Sequence, residues 1–311
     1  MNNIKLPRHG RKILSGFLLV SSLGLGSVAM ADEAAISLLN RMNQSLHELS
    51  YKGTLAYLRG DLLSTLMINH QVVNGVETET VMRLNEGGSK VSRELKGFSL
   101  SSIPRIGPKM KEVYSFDVGR MNRVASLPCV IITARPKDRE RYLQKYCINQ
   151  KTGMLLDYML IDKSHKPVEQ FMFTNIEISS PRNTQLEQVR SNTSDRNSSI
   201  ITTNTPSTDH NNVTLPNLDD GWVINSLPKG YGIRKAPNSN DKTKHYIVSD
   251  GLSSLSVFVS PYTKNEPKNN VVVNSGALNV LSQRKGNSVV TVVGEVPENT
   301  LKNILNNIRR K

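Results

Sequence analysis

The sequence predicts an α+β protein in which an amphipathic helix leads into a large antiparallel meander, with a small α+β domain behind it. Three observations carry that reading. Residues 34–49, AAISLLNRMNQSLHEL, place Ala35, Leu38, Leu39, Met42, Leu46 and Leu49 on one helical face, behind Asp32 and Glu33 at the helix start. The periodicity then changes to strand-like runs separated by legible turns, of which Asn74-Gly75 is the strongest hairpin signal because both positions tolerate positive φ. Between residues 183 and 214 the composition shifts to Ser, Thr, Asn and Gln, which cannot build a core.

Ahead of the helix, Lys5, Arg8, Arg11 and Lys12 precede an apolar stretch from Ile13 to Val28 and the small-x-small triplet Ala29-Met30-Ala31. This is the pattern of a secretory leader cleaved after Ala31. The apolar stretch falls short of the roughly 20 residues a spanning helix needs and contains Gly16, Gly24 and Gly26. Residues 1–31 are therefore expected to be removed, leaving a soluble chain in the periplasm.

The meander is read from YKGTLAYL, STLMINHQVV, VETETVMRL, KVSRELKG, EVYSFDV, PCVIITAR, YLQKYCIN, GMLLDYMLI and PVEQFMFTNIEI. Besides Asn74-Gly75, turns are expected at residues 86–89, at Lys151-Thr152-Gly153 and at residues 163–167. Consecutive strands joined this tightly form antiparallel pairs, not a parallel nucleotide-binding sheet. The expected organisation is a large domain over 32–182, a flexible linker over 183–214 and a small domain over 215–311. The small domain takes strands at KHYIVSD, SSLSVFVSP and SVVTVVGEV, a short apolar segment over 276–281, and a last helix after Pro297. That helix aligns Leu301, Ile304, Leu305 and Ile308 on one face.

The chain of 311 residues carries a formal net charge of +14, or +10 once the leader's four basic residues are removed. Such an excess suits an anionic partner, which outside the cytoplasm means lipid head groups, lipopolysaccharide phosphates or an acidic protein segment more than nucleic acid; a merely solubilising surface is the alternative.

Catalytic motifs fail on order and geometry. Lys151-Thr152-Gly153 matches one element of the serine acyl-transfer set of penicillin-binding proteins, and Ser226-Leu227-Pro228-Lys229 and Ser249-Asp250-Gly251 approach the other two. Both follow the triplet, reversing the order, and Pro228 disturbs the turn that would align serine and lysine. The triplet reads instead as a hairpin turn. The histidines at 9, 47, 70, 165, 210 and 245 never adopt metal-binding spacing. No catalytic residue, metal ligand or cofactor is therefore assigned.

Cys129 and Cys147 are the only cysteines, and in an exported chain they are expected to pair across two antiparallel strands, with a basic hairpin end between them. The alternative is two unpaired residues on opposite faces. Arg135, Lys137, Arg139 and Arg141 in that loop are candidates for contact with an anion or a protein partner, and could equally form a solvated hairpin end.

The segment order resembles the MucB/RseB regulators of the sigma-E envelope-stress response. The resemblance runs from LLNRM and YKGTLAY through ARPKDRERYLQKYCINQKTGMLLDYMLID and VEQFMFTNIEI, and resumes with LPKGY, HYIVSDGLSSLSVFV and GALNVLSQRKGNSVVTVVGEVPENT. It implies a large domain with the half-barrel fold of lipoprotein carriers and a small C-terminal domain. It also implies a role that is not enzymatic. Such a protein binds the periplasmic part of an RseA- or MucA-type transmembrane anti-sigma factor, shields it from the site-1 protease, and releases it when lipopolysaccharide or another lipid competes. Homo-oligomerisation is a further implication. A curved sheet with a helix on its concave face can hold acyl chains, and Leu39, Met42, Leu55, Tyr57, Met67, Val81, Phe171 and Phe173 are the lining candidates, with ordinary core as the alternative for each. A lipid or lipoprotein carrier using that cavity alone is the rival function; the second domain argues against it.

Overall fold

The computed structural model describes residues 26–84, 100, 110–179, 217–218, 221–236, 239, 242–263 and 271–311. The leader up to residue 25, the expected strand and turn over 86–97 and the expected linker over 183–214 lie outside the described residues. Helix α1, Gly26–Glu48, begins ahead of the expected processing point.

The large sheet comprises β1 (Ser50–Arg59), β2 (Leu62–Val73), β3 (Val76–Leu84), β4 (Tyr114–Val124), β5 (Leu127–Pro136), β6 (Leu143–Ile148), β7 (Leu155–Ile161) and β8 (Pro167–Ser179). Its order is β3-β2-β1-β8-β7-β6-β5-β4, and every pairing is antiparallel. The Asn74-Gly75 turn joins β2 to β3 with both residues at positive φ, as a type I′ hairpin demands. The segment EVYSFDV is only partly strand: a short helix α2, Met110–Val113, takes its first residues.

Helix α1 lies on one face of this sheet with Ala35, Leu39, Met42 and Leu46 fully buried. They join Leu55, Leu66, Ile68, Tyr114, Ile132, Tyr146 and Phe173 in one core. Polar contacts fix both ends of the helix. Near its start the Asp32 carboxylate accepts the Phe116 amide at 3.0 Å. Toward its other end Arg41 donates to the carbonyls of Gln150 and Lys151 at 2.8 and 2.5 Å, and Ser45 donates to that of Thr152 at 2.7 Å. The Lys151-Thr152-Gly153 triplet is thus the hairpin turn on which the helix docks. Asn149 shapes it by accepting the amides of Lys151 and Thr152, and Gly153 closes it at φ +79°. A Cβ at Gly153 would stand 2.3 Å from Ser45 Oγ, so only glycine fits both the backbone and the approach.

The C-terminal part contains β9 (Asn217–Leu218), β10 (Trp222–Ile224), β11 (Gly232–Lys235), β12 (Lys244–Ser249), β13 (Ser254–Pro261), β14 (Val271–Ser275), β15 (Leu278–Lys285), β16 (Ser288–Gly294), α3 (Glu298–Asn307) and β17 (Ile308–Arg310). Six strands form one sheet, β11-β12-β13-β16-β15-β14, and three form another, β17-β10-β9. The expected face of α3 is the buried one: Leu301, Ile304, Leu305 and Ile308 enter a second core with Trp222, Val257 and Val292. Ile308 itself begins β17, one residue past the helix.

Candidate functional site

Six of the eight lining candidates converge. Leu39, Met42, Leu55, Tyr57, Phe171 and Phe173 are between 0 and 3% exposed and interlock in the core beneath α1. Val81 packs half-buried at its margin. Met67 is placed elsewhere: it lies between Leu66 and Ile68, both buried, and its cross-strand neighbours are Thr54 and Met82, so alternation puts it on the opposite face. Tyr57 is also polar-anchored, its hydroxyl donating to Glu169 at 2.7 Å.

Cys129 and Cys147 are bonded, with Cα atoms 5.3 Å apart and both residues buried. The two cysteines are not directly opposed in the register. Cys147 is paired with Ile131, and Cys129 faces Asn122 of β4, so the bond crosses β5 and β6 on a diagonal.

The four basic candidates part company. Arg135 ion-pairs with Asp117 at 2.6 Å in solvent, where such a pair contributes little. Lys137 donates to the Lys111 carbonyl at 2.7 Å, and Arg139 is exposed. Arg141 is not a solvated hairpin residue at all. Its side chain is completely buried, it ion-pairs with Asp138 of its own loop and with Asp250 of the C-terminal domain, and it donates to the Lys229 carbonyl at 2.5 Å. The guanidinium lies 4.3 Å from the centre of the Tyr231 ring and 5.6 Å from that of Tyr114. Burial alone would favour losing its proton; Tyr231 and Asp250 outweigh that and hold the charge.

Arg141 therefore centres a seam between the two domains. Asp250 has no exposed side chain either. One carboxylate oxygen takes the Arg141 Nε–H and, at 3.0 Å, the Tyr114 hydroxyl; the other accepts the amides of Leu252 and Ser253 at 2.8 and 2.7 Å. Burial and the Asp250 charge together push the Tyr114 hydroxyl well above its ordinary pKa, which keeps it a donor. The turn so tied inserts Leu252 into the core of the large domain, while Ser253 meets Tyr114 and Gln144, both at 3.1 Å. Asn279 reaches the Tyr142 hydroxyl at 3.2 Å, and Thr300 donates to the Glu140 carbonyl at 2.9 Å. Ser249-Asp250-Gly251 is thus a docking turn, and its likeness to a catalytic triplet is one of letters.

A second cluster crosses the seam. Arg59 lies 3.9 Å from Glu169 of its own sheet and 3.7 Å from Glu295 of the C-terminal domain. Both carboxyls hold their protons above the usual range. Burial raises Glu169 against the pull of Tyr57 and Arg59; burial and the Glu169 charge raise Glu295 to about 7. Glu295 keeps 41% of its side chain in solvent, so water moderates its share. Beside the cluster Gly276, at φ +61°, packs so closely that a Cβ would stand 2.7 Å from the Gly60 amide and from the Val168 carbonyl.

Among the described residues no group of three His, Cys, Asp or Glu is arranged to hold a metal ion, and no helix is long and apolar enough to cross a membrane.

Comparison with known proteins covers both domains. The MucB/RseB N-terminal domain family matches residues 34–102 and 90–194, and the MucB/RseB C-terminal domain family matches residues 216–309. The chain is 26% identical to the "Sigma factor AlgU regulatory protein MucB" of Pseudomonas aeruginosa, over 94% of this chain and 96% of that protein. It is 24% identical to the "Sigma-E factor regulatory protein RseB" of Salmonella typhimurium, with the same shares covered. Among solved structures, MucB in complex with MucA(peri) aligns with a TM-score of 0.61 at 22% identity, over 89% of this chain and 99% of that one. MucB alone aligns at 0.62 and 21%, over 90% and 98%. With a large antiparallel sheet carrying one helix, a smaller sheet domain docked on it, and both family domains matched in order, the chain belongs to the MucB/RseB family.

Proposed function

We propose that this chain is a periplasmic regulator of an envelope-stress sigma factor. It binds the periplasmic part of a transmembrane anti-sigma factor of the RseA or MucA type, shields it from site-1 proteolysis, and lets go when lipopolysaccharide or another lipid competes. The observation that carries this reading is the match to both family domains along nearly the whole chain, together with a relative solved with MucA(peri). The seam adds support of a different kind. The two domains are joined through a fully buried ion pair, and a carrier using one cavity needs no second domain. The net charge of +10 that remains without the leader's four basic residues suits phosphate-bearing lipid as the competing signal.

For the lipid arm, the packed side chains of Leu39, Met42, Phe171 and Phe173 would have to part for an acyl chain. The test is protease protection: the periplasmic domain of the cognate anti-sigma factor is exposed to its site-1 protease with and without residues 32–311. Protection that lipopolysaccharide abolishes supports the reading. Unchanged cleavage refutes it.

A further inference from the structure

Two histidines, His47 and His70, come together at the end of α1 around one carboxylate. His47 sits in the last turn of the helix, His70 on β2 and Glu77 on β3. The two oxygens of Glu77 lie 3.0 and 3.2 Å from His47 Nδ1, and an ionised carboxylate only accepts, so that nitrogen carries a proton. The His70 side chain is fully buried and stacks on the Tyr51 ring with centroids 4.6 Å apart. Its Nδ1 lies 2.8 Å from the carbonyl of Leu49, the residue after α1. A carbonyl likewise only accepts, which fixes Nδ1 as the protonated nitrogen of the neutral ring.

The other nitrogen of His70 is then a bare lone pair. Nε2 is buried without a hydrogen bond and lies 3.7 Å from Glu77 Oε2, so two acceptors face each other with no proton between them. The surroundings suit a cation. Glu77 faces the nitrogen, Glu79 is the cross-strand neighbour of His70, and the C-terminal end of α1, where helix carbonyls gather negative charge, already receives Nδ1. A lone charge at full burial would be costly, and these groups supply its compensation. The other polar and charged groups around the cluster are engaged. Tyr51 donates to Glu79 at 3.4 Å, Glu48 accepts from Gln44 at 3.0 Å, and Lys52 pairs with Glu177 on the opposite face of the sheet.

We propose that His70 Nε2 is a proton-uptake site that clamps the end of α1 to the β2–β3 hairpin in acid. One proton taken from solvent converts the ring to an imidazolium whose Nε2–H donates to Glu77, which His47 already holds from the helix. A charge-assisted hydrogen bond replaces two facing lone pairs, and one carboxylate then bridges α1, β2 and β3. Imidazole gains its charge between about pH 5 and 8, so the clamp follows acidification across that range. Whatever parts α1 from the sheet meets more resistance at low pH. The device lies wholly within the large domain, whereas the Arg59–Glu169–Glu295 cluster crosses the seam.

The test is imidazole nitrogen NMR of residues 32–311 in chelator-treated buffer from about pH 8 to about pH 5, read beside amide hydrogen exchange corrected for intrinsic rates. His70 should pass from its Nδ1–H form to the imidazolium while amides in the last turn of α1 and in β3 gain about tenfold in protection. Glu77→Gln keeps an acceptor for His47 without the charge, at a side chain 25% exposed, and its α1 protection should stay flat over the same range. His70→Asn keeps a donor toward the Leu49 carbonyl, removes the titrating nitrogen and should be flat as well. A His70 still neutral at the acid end overturns the proposal, and so does an equal rise in protection in Glu77→Gln. Protection that tracks His47 while His70 stays neutral overturns it likewise. None of these outcomes bears on binding of the anti-sigma factor, so the regulator reading stands or falls separately.

Discussion

Arg141 and Asp250, 109 residues apart in sequence and on different domains, form an ion pair in which neither side chain touches solvent. Burying two charges is costly, and the pair is held because the lone pairs and protons around it find partners: Asp138, the Lys229 carbonyl, Tyr114 and the turn amides of Leu252 and Ser253. Removing one partner leaves the other buried and uncompensated. Arg141→Met or Asp250→Asn is expected to destabilise the protein by about 3–5 kcal/mol. The double variant Arg141→Met/Asp250→Asn should lose less than the sum of the single changes. Denaturant unfolding of the four proteins checks both statements, and additive losses would show that the pair does not couple the domains.

The helix-docking turn gives a sharper local test. Gly153→Val adds a branched Cβ where Ser45 Oγ stands 2.3 Å away and where φ is +79°. The change should cost at least about 2 kcal/mol through backbone strain and displaced helix contacts. Hydrogen exchange over the last turns of α1 should rise, while exchange in the C-terminal sheet stays as it was.

The Arg59–Glu169–Glu295 cluster sets a pH dependence. Both carboxyls have folded-state pKa values above their ordinary 4.5, so the docked form binds protons more tightly than the undocked one. The stability Glu295 contributes is complete below about pH 4.5 and is lost as pH rises through about 7, and Glu169 contributes in the same direction. Domain docking, followed by limited proteolysis at the seam, should therefore weaken between those limits. Glu295→Gln should flatten the slope; a variant with the parent's slope would assign the titration elsewhere.

The disulfide is expected to be structural. It closes a separation of 18 residues, and in the chain-entropy account such a loop stabilises by about 3 kcal/mol. Comparing unfolding midpoints with and without reductant measures this. A reduced protein as stable as the oxidised one would contradict the account.

How much of this structure is legible in the sequence differs from residue to residue. Asn74-Gly75, the alternation of PVEQFMFTNIEI and the face of the last helix announce their structures because each signal is local. Met67 is misassigned from sequence because Leu66, Met67 and Ile68 are consecutive apolar residues, and alternation cannot choose between them without a partner strand. Arg141 sits in RPKDRER, where every neighbour argues for solvent; only the fold brings Asp250, Tyr114 and Tyr231 around it. Glu169 and Glu295 are invisible as a pair for the same reason. Strand β14 passes unnoticed because five uncharged residues next to a Gly-Ala turn carry too little pattern.

The central claim is that this chain holds an anti-sigma factor and yields it to lipid. The direct measurement is calorimetric titration of residues 32–311 with the periplasmic domain of the cognate anti-sigma factor, repeated in the presence of lipopolysaccharide. The account predicts saturable one-site binding whose affinity falls as lipopolysaccharide rises. Absence of binding, with lipid still captured, would contradict it and leave a lipid carrier in its place.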